Sequence, residues 1–311
     1  MVRNILIILF ISLVLFMSAC DNSGVVPADD GPFKGGAEGV EISFMPAAPS
    51  TSFDQDQSEP VRIKLKNNGE YDIPSGEAMV KIFGIHHASF GLSSEFKGTT
   101  GPLRGVSEFI DEGGEQIIEM GNLKYTPDIT NFYEFSLKAK ACYPYETNSQ
   151  VMACISSSSI EESGGDLECG IDGNKIKSGT VSRSPIQIDS FTEELRGADQ
   201  IIFNMGISND GNGDVYDPEV TCSDLDDAIK KGEAENIIYV EVDPMELICS
   251  FLGDEGNNGK IRLKQTGDNT LTCRMFVEEG ESNYEQRIRV RLKYKYVDSV
   301  SKDLTVYEVK S

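Results

Sequence analysis

An all-β fold of two tandem antiparallel sandwiches is what this chain of 311 residues predicts, and three observations carry it. Apolar and polar residues alternate with a period of two along most of the chain after residue 40. Short alternating runs are separated by Gly, Asn and Pro, which favour turns. One stretch of the pattern occurs twice. Because successive side chains of a strand point to opposite faces, a period of two means one buried face and one wet face.

Near the start, Arg3 precedes an apolar run from Ile5 to Met17, broken by Ser12 and followed by Ser18-Ala19-Cys20. A basic end, a short apolar core and small residues before a cut site are the parts of a secretory signal peptide, assigned to residues 1–19. The run is shorter than the roughly 20 apolar residues that a spanning helix needs. Met17-Ser18-Ala19-Cys20 also resembles a lipobox, in which Cys20 is lipidated and becomes the mature N-terminus. The other reading is an uncleaved N-terminal anchor. Both put the remainder on the extracellular face of the cytoplasmic membrane, attached to it by the N-terminus. Residues 20–39, rich in Gly, Asp and Pro, are expected to form a flexible tether.

Strands are expected at Val40–Phe44, Val61–Lys66, Ala78–Ile85, Gln116–Met120, Leu137–Ala141 and Val151–Ile155, making a first sandwich over 40–160. Residues 161–183, "EESGGDLECGIDGNKIKSGTVSR", read as a linker or long loop. A second sandwich over 184–311 takes Ile186–Phe191, Gln200–Ser208, Ile237–Val242, Lys260–Gln265, Thr270–Phe276, "RIRVRLKYKYV" (287–297) and Leu304–Val309. One segment reads as a helix: "SDLDDAIKKG", with Ser223 as cap and Gly232 as its end.

The duplication sets the domain count. "YEFSLKAKACYPY" (133–145) aligns without a gap on "YEQRIRVRLKYKY" (284–296), and "VRIKLKNNGEYDI" matches the layout of "IFNMGISNDGNGDVYD". The tyrosine before each long alternating strand, Tyr133 or Tyr284, is the expected tyrosine corner. These stretches, with "GVEISFMPAAPS", "CYPYETNSQVMACI", "SPIQIDSF" and "IRVRLKYKYVDSVSK", resemble secreted or membrane-anchored surface proteins of small-genome archaea. Their tandem domains are similar to the cell-adhesion-related, immunoglobulin-like (CARDB) class. The resemblance implies two immunoglobulin-like sandwiches and a surface location, and it brings no catalytic motif.

Without Cys20, six of the seven cysteines remain, an even number that suits disulfides in an oxidising compartment. Cys142 and Cys154 flank a stretch with a turn expected near Asn148, which pairs them. Cys249 and Cys273 lie in adjacent strands, and elimination leaves Cys169 with Cys222. No C-x-x-C pair offers a zinc site. The 51 acidic residues against 28 basic ones, a net charge of −23, argue against nucleic acid as partner.

Chemistry is sparse. His86 and His87 are adjacent, so in a strand they point apart and cannot share an ion. No G-x-S-x-G elbow, Walker A pattern or G-x-G-x-x-G loop occurs, and neither an enzyme nor a cofactor is expected. In "SNDGNGDVYD", Asp210, Asn212, Asp214 and Asp217 are spaced like the start of a calcium loop. Val215 and Thr221 then stand where an EF-hand needs Gly and Glu. The stretch reads as a strand connector, in which Asn209 bonds its own backbone and Gly211 takes a positive φ. Arg287, Arg289, Arg291, Lys293 and Lys295 share one face of a strand. They either pair with acids on neighbouring strands, Glu241 and Glu308 being candidates, or form a strip for an acidic partner. The expectation is a non-catalytic envelope protein acting in surface structure, adhesion or self-association. The alternative is a carbohydrate- or peptide-binding subunit of an envelope complex.

Overall fold

In the computed structural model the described residues are 31–156, 169–197, 199–264, 269–277 and 284–309. The signal segment 1–19, Cys20 and the first part of the 161–183 linker lie outside them. Sixteen strands are formed among the described residues: β1 (Val40–Phe44), β2 (Ser52–Asp54), β3 (Glu59–Asn67), β4 (Met79–Phe83), β5 (Lys97–Gly98), β6 (Glu115–Leu123), β7 (Phe132–Ile155), β8 (Ile186–Arg196), β9 (Gln200–Asn209), β10 (Asp214–Tyr216), β11 (Ile237–Asp243), β12 (Ile248–Ser250), β13 (Glu255–Gly256), β14 (Asn258–Arg262), β15 (Thr270–Phe276) and β16 (Tyr284–Tyr307). Among the described residues, helical structure is limited to α1 (His87–Phe90), a 3₁₀ turn at Asp224–Asp226 and α2 (Ala228–Ala234).

The fold is all-β. A central sheet runs β14-β11-β16-β7-β4-β5, with β10 and β2 also pairing along β16. Two smaller sheets, β1-β3-β6 and β13-β12-β15-β9-β8, supply the opposing layers of the sandwich. The strand order of the central sheet reads the same from either end of the duplicated pattern. β7 and β16 are the repeated stretches themselves, and they pair antiparallel over all 24 residues of each, from Phe132↔Tyr307 to Ile155↔Tyr284. Spans 40–160 and 184–311 therefore share one sheet, and residues from Gly31 onward make one compact unit. Each half lends the other a strand edge that would otherwise present unpaired N–H and C=O groups.

Alternation explains which face is buried. On β7, Leu137, Ala139, Ala141, Tyr143 and Tyr145 point inward, and on β16 so do Ile288, Val290, Leu292, Tyr294 and Tyr296. They meet Val61, Ile63 and Leu65 of β3 and Ile201, Phe203 and Met205 of β9 in one continuous core. Since repeated positions are 151 residues apart (133 to 284), the pairing Tyr143↔Tyr296 is the counterpart of Tyr145↔Tyr294. A local two-fold thus passes through the Pro144↔Lys295 pair. Around it the four tyrosine rings pack with centroids 5.9–6.2 Å apart.

Several expectations are corrected. The turn near Asn148 does not exist, because Asn148 lies mid-strand in β7. Twelve residues of extended chain hold Cys142 and Cys154 roughly 40 Å apart, so they cannot bond. Cys142 pairs with Cys222 and Cys154 with Cys169, in place of the expected Cys142–Cys154 and Cys169–Cys222. Cys249 and Cys273 are bonded directly across the β12–β15 ladder. The cap of α2 is Asp227, whose carboxylate accepts the Ile229 and Lys230 N–H groups, and the helix runs past Gly232 to Ala234.

The described stretch of the expected tether, 31–39, is held by hydrogen bonds. Its backbone bonds residues 178–179, and the Glu70 carboxylate accepts the N–H groups of Lys34, Gly35 and Arg183. Polar partners, the Glu70 carboxylate among them, hold this segment rather than apolar burial. The last linker residues are ordered in the same way: Gln150 donates to Thr180 and Ser182 to Asn148, along the free edge of β7.

Candidate functional site

The outer face of the central sheet carries the candidate site. Outward residues of β16 include Arg289, Arg291, Lys293 and Lys295, beside Glu146, Asn148 and Gln150 of β7 and Tyr239, Glu241 and Asp243 of β11. Three of the five residues of the expected basic strip, Arg289, Arg291 and Lys293, therefore stand beside polar cross-strand neighbours, whereas Lys295 lies opposite Pro144 and Tyr216 and Arg287 opposite Met152. Lys293 Nζ lies 2.7 Å from Glu241, and Arg291 lies 3.3 Å from Glu241 and 3.7 Å from Glu146. Arg289 lies 3.4 Å from Asp243. Glu241 is one of the two acids that the sequence put forward; Glu308 instead accepts the Asn131 N–H. Burial pushes the Glu146 carboxyl above the usual range against the pull of Arg291 and Lys293, and burial lowers Lys295.

Over this face runs a groove of about 660 Å³. Arg289 and Arg291, about half exposed, form its floor. Asn148 and Gln150 border it on the β7 side, and Asn257 and Asn258 on the β14 side. Phe33, in the ordered N-terminal segment, lines it as well, together with Tyr239, whose hydroxyl donates to Asn258 Oδ1 at 2.9 Å.

The duplicated fold has an equivalent face in its first half, and that face is filled. Lys138 and Lys140 replace Arg289 and Arg291, and Lys81 of β4 replaces Glu241. Asp226 accepts from both Lys81 and Lys140, at 2.7 and 2.8 Å, and Phe96 lies 5.4 Å from each ammonium. Leu225, Tyr216 and the Cys142–Cys222 bridge form a small second core there, leaving about 300 Å³. Residues 214–234, from the second half, thus plug the first half's face and are stapled to it. No local signal marks this arrangement, since Asp226 stands 86 residues from Lys140 in sequence.

The other motif residues are engaged elsewhere. Asp214 pairs with Val297 in β10, while Asp217 accepts Lys260 Nζ at 2.7 Å. The Asp210 N–H donates to the Pro185 carbonyl. Among the described residues, no group of three or more His, Cys, Asp or Glu side chains is gathered as a metal site. His86 bonds Ser89 and His87 the Leu92 carbonyl, at the start of α1. No described helix is long and apolar enough to cross a membrane.

No family model matches this chain, and no curated protein matches it. Among solved structures it is similar, at a TM-score of 0.14 and 8% identity over 90% of this chain and 97% of the other, to Enterococcus faecalis MSCRAMM ACE, which "binds its ligands by the collagen Hug Model". A likeness at this level carries no argument.

Proposed function

We propose that this chain is an exported, non-catalytic cell-surface module acting in adhesion or surface structure, tethered to the membrane through Cys20 or an uncleaved N-terminal segment. The groove over Arg289 and Arg291 carries the reading: a duplicated face plugged on one side and left as an open groove on the other suits recognition of a target. The three disulfides support an oxidising compartment. The shared β7–β16 ladder supports a load-bearing role, since pulling the halves apart would break a whole strand pairing at once. The archaeal, CARDB-like surface proteins that the sequence resembles would use such a module in the same setting.

The test is binding of the fluorescently labelled chain to isolated envelopes of the source cell. Saturable binding supports the reading, and linear, non-saturable retention removes it. Turnover of an envelope polymer by the chain would replace it with a hydrolase.

A further inference from the structure

We infer that the groove over Arg289 and Arg291 binds a neutral oligosaccharide of the envelope, which deepens the adhesion reading and rests on it. Charge comes first. The two guanidinium groups are matched by Glu241 and Asp243 at 3.3 and 3.4 Å, so the floor carries no net charge. A polyanion or an acidic peptide would gain little attraction there and would have to displace both carboxylates.

Hydrogen-bonding capacity comes next. Asn148 presents both amide donors, while Asn258, whose Oδ1 takes the Tyr239 hydroxyl and whose Nδ2 bonds Asn257 Oδ1 at 3.0 Å, keeps one donor and a second acceptor lone pair, and the arginines present forked donors. Paired groups of this kind match the vicinal hydroxyls of a sugar, each of which donates and accepts. The arginine contacts are long enough to be exchanged: Arg291 Nε reaches Asn148 Oδ1 at 3.4 Å. Phe33 adds an apolar surface for the C–H face of a pyranose. A volume of about 660 Å³ falls within the range of small-molecule sites and leaves room for several sugar rings.

The asymmetry of the duplication is an independent argument. At the equivalent face of the first half the floor bases are lysines, point charges without forked donors, and Asp226 holds Lys81 and Lys140 under the plug. One face was closed by the chain and the other was left lined with amides and arginines.

The experiment is saturation-transfer NMR on the full chain with neutral trisaccharides (maltotriose, mannotriose and chitotriose), trigalacturonate and an acidic hexapeptide. Transfer to at least one neutral trisaccharide is expected, with at least tenfold weaker binding in Asn148→Ala/Asn258→Ala and in Phe33→Ala. Unchanged melting temperatures would show that these variants still fold. No transfer to any neutral trisaccharide, transfer that survives both variants, or preference for trigalacturonate or the peptide would overturn the inference. Envelope binding that saturates yet ignores competing trisaccharide would sink the sugar assignment and leave the adhesion reading standing. Trisaccharide binding without envelope binding would do the reverse.

Discussion

The Tyr145 hydroxyl donates to Asn67 Oδ1 at 3.0 Å, and the same bond recurs in the second half between Tyr296 and Asn209 at 3.1 Å. In both halves the same asparagine oxygen also takes the N–H of the glycine two residues on, Gly69 or Gly211, at 3.2 and 3.3 Å. A Cβ on either glycine would collide with the tyrosine hydroxyl. Glycine is required here by close approach of a side chain, and neither residue has the positive φ that the sequence suggested. The tyrosines that secure these two turns are thus Tyr145 and Tyr296, at the far end of the repeated motif from Tyr133 and Tyr284, and they bond distant asparagine side chains rather than the nearby backbone of a tyrosine corner. Burial raises both hydroxyls, Tyr296 to about 12 and Tyr145 well above its ordinary value.

Removing these bonds should cost stability unequally. Tyr145→Phe and Tyr296→Phe are each expected to lose about 1–2 kcal/mol, the second because its hydroxyl, besides its part-buried bond to Asn209, accepts the Gly213 N–H at 2.8 Å. Asn67→Ala should cost more, at least about 3 kcal/mol, because it also strands the Tyr71 and Leu103 carbonyls that its amide serves. Urea unfolding with an unchanged m-value checks the ranking, and equal losses at all three positions would contradict it.

Glu193 should make stability fall as pH rises towards neutrality. Its side chain is fully buried, and burial pushes its carboxyl up to about 7 despite Lys175 at 3.7 Å and the Cys154 N–H. Between the ordinary carboxylate value and about 7 the folded chain binds the extra proton. This contribution is therefore complete at low pH and lost as pH passes about 7. Glu193→Gln keeps an acceptor for Cys154 and removes the titration. Melting curves from pH 5 to 8 should show the variant matching the parent at pH 5 and exceeding it at pH 8.

The Cys142–Cys222 bridge, which closes 80 residues, should matter more than Cys154–Cys169, which closes 15. Chain entropy alone gives about 4.5 against about 3 kcal/mol. Peptide mapping without reduction is expected to return these two links together with Cys249–Cys273. Denaturant curves of the paired Cys→Ala variants would test the order.

Loosening the plug should be visible locally. Asp226→Asn weakens the hold on Lys81 and Lys140, so amide hydrogen exchange is expected to accelerate in 222–234 while β7 and β16 stay protected. Acceleration spread evenly over the core would mean that Asp226 supports the whole fold.

Calcium should leave the melting temperature unchanged up to millimolar concentration, since Lys260 already occupies Asp217. A rise of several degrees, abolished in Asp214→Ala, would contradict this.

Period-two alternation determined the β class, the inward residues of β7 and β16, and the duplication, because all three depend on residue type at fixed local spacing. The repeat "YEFSLKAKACYPY" and "YEQRIRVRLKYKY" even named the two strands that meet at the local two-fold. Pairing of Cys249 with Cys273 was legible for the same reason, as neighbouring strands place them opposite each other. What alternation cannot state is which strand edges meet. Only the tertiary structure joined β7 to β16, and their full-length pairing removed the turn expected at Asn148. Asn and Gly mark turns when the backbone lacks another partner, but here Asn148 exchanges its backbone bonds with neighbouring chain and stays extended. The Cys142–Cys222 bridge, the Asp226 plug and the open groove all follow from that join. They are long-range consequences of one edge being satisfied by a segment about 150 residues away, where short-range spacing carries no information.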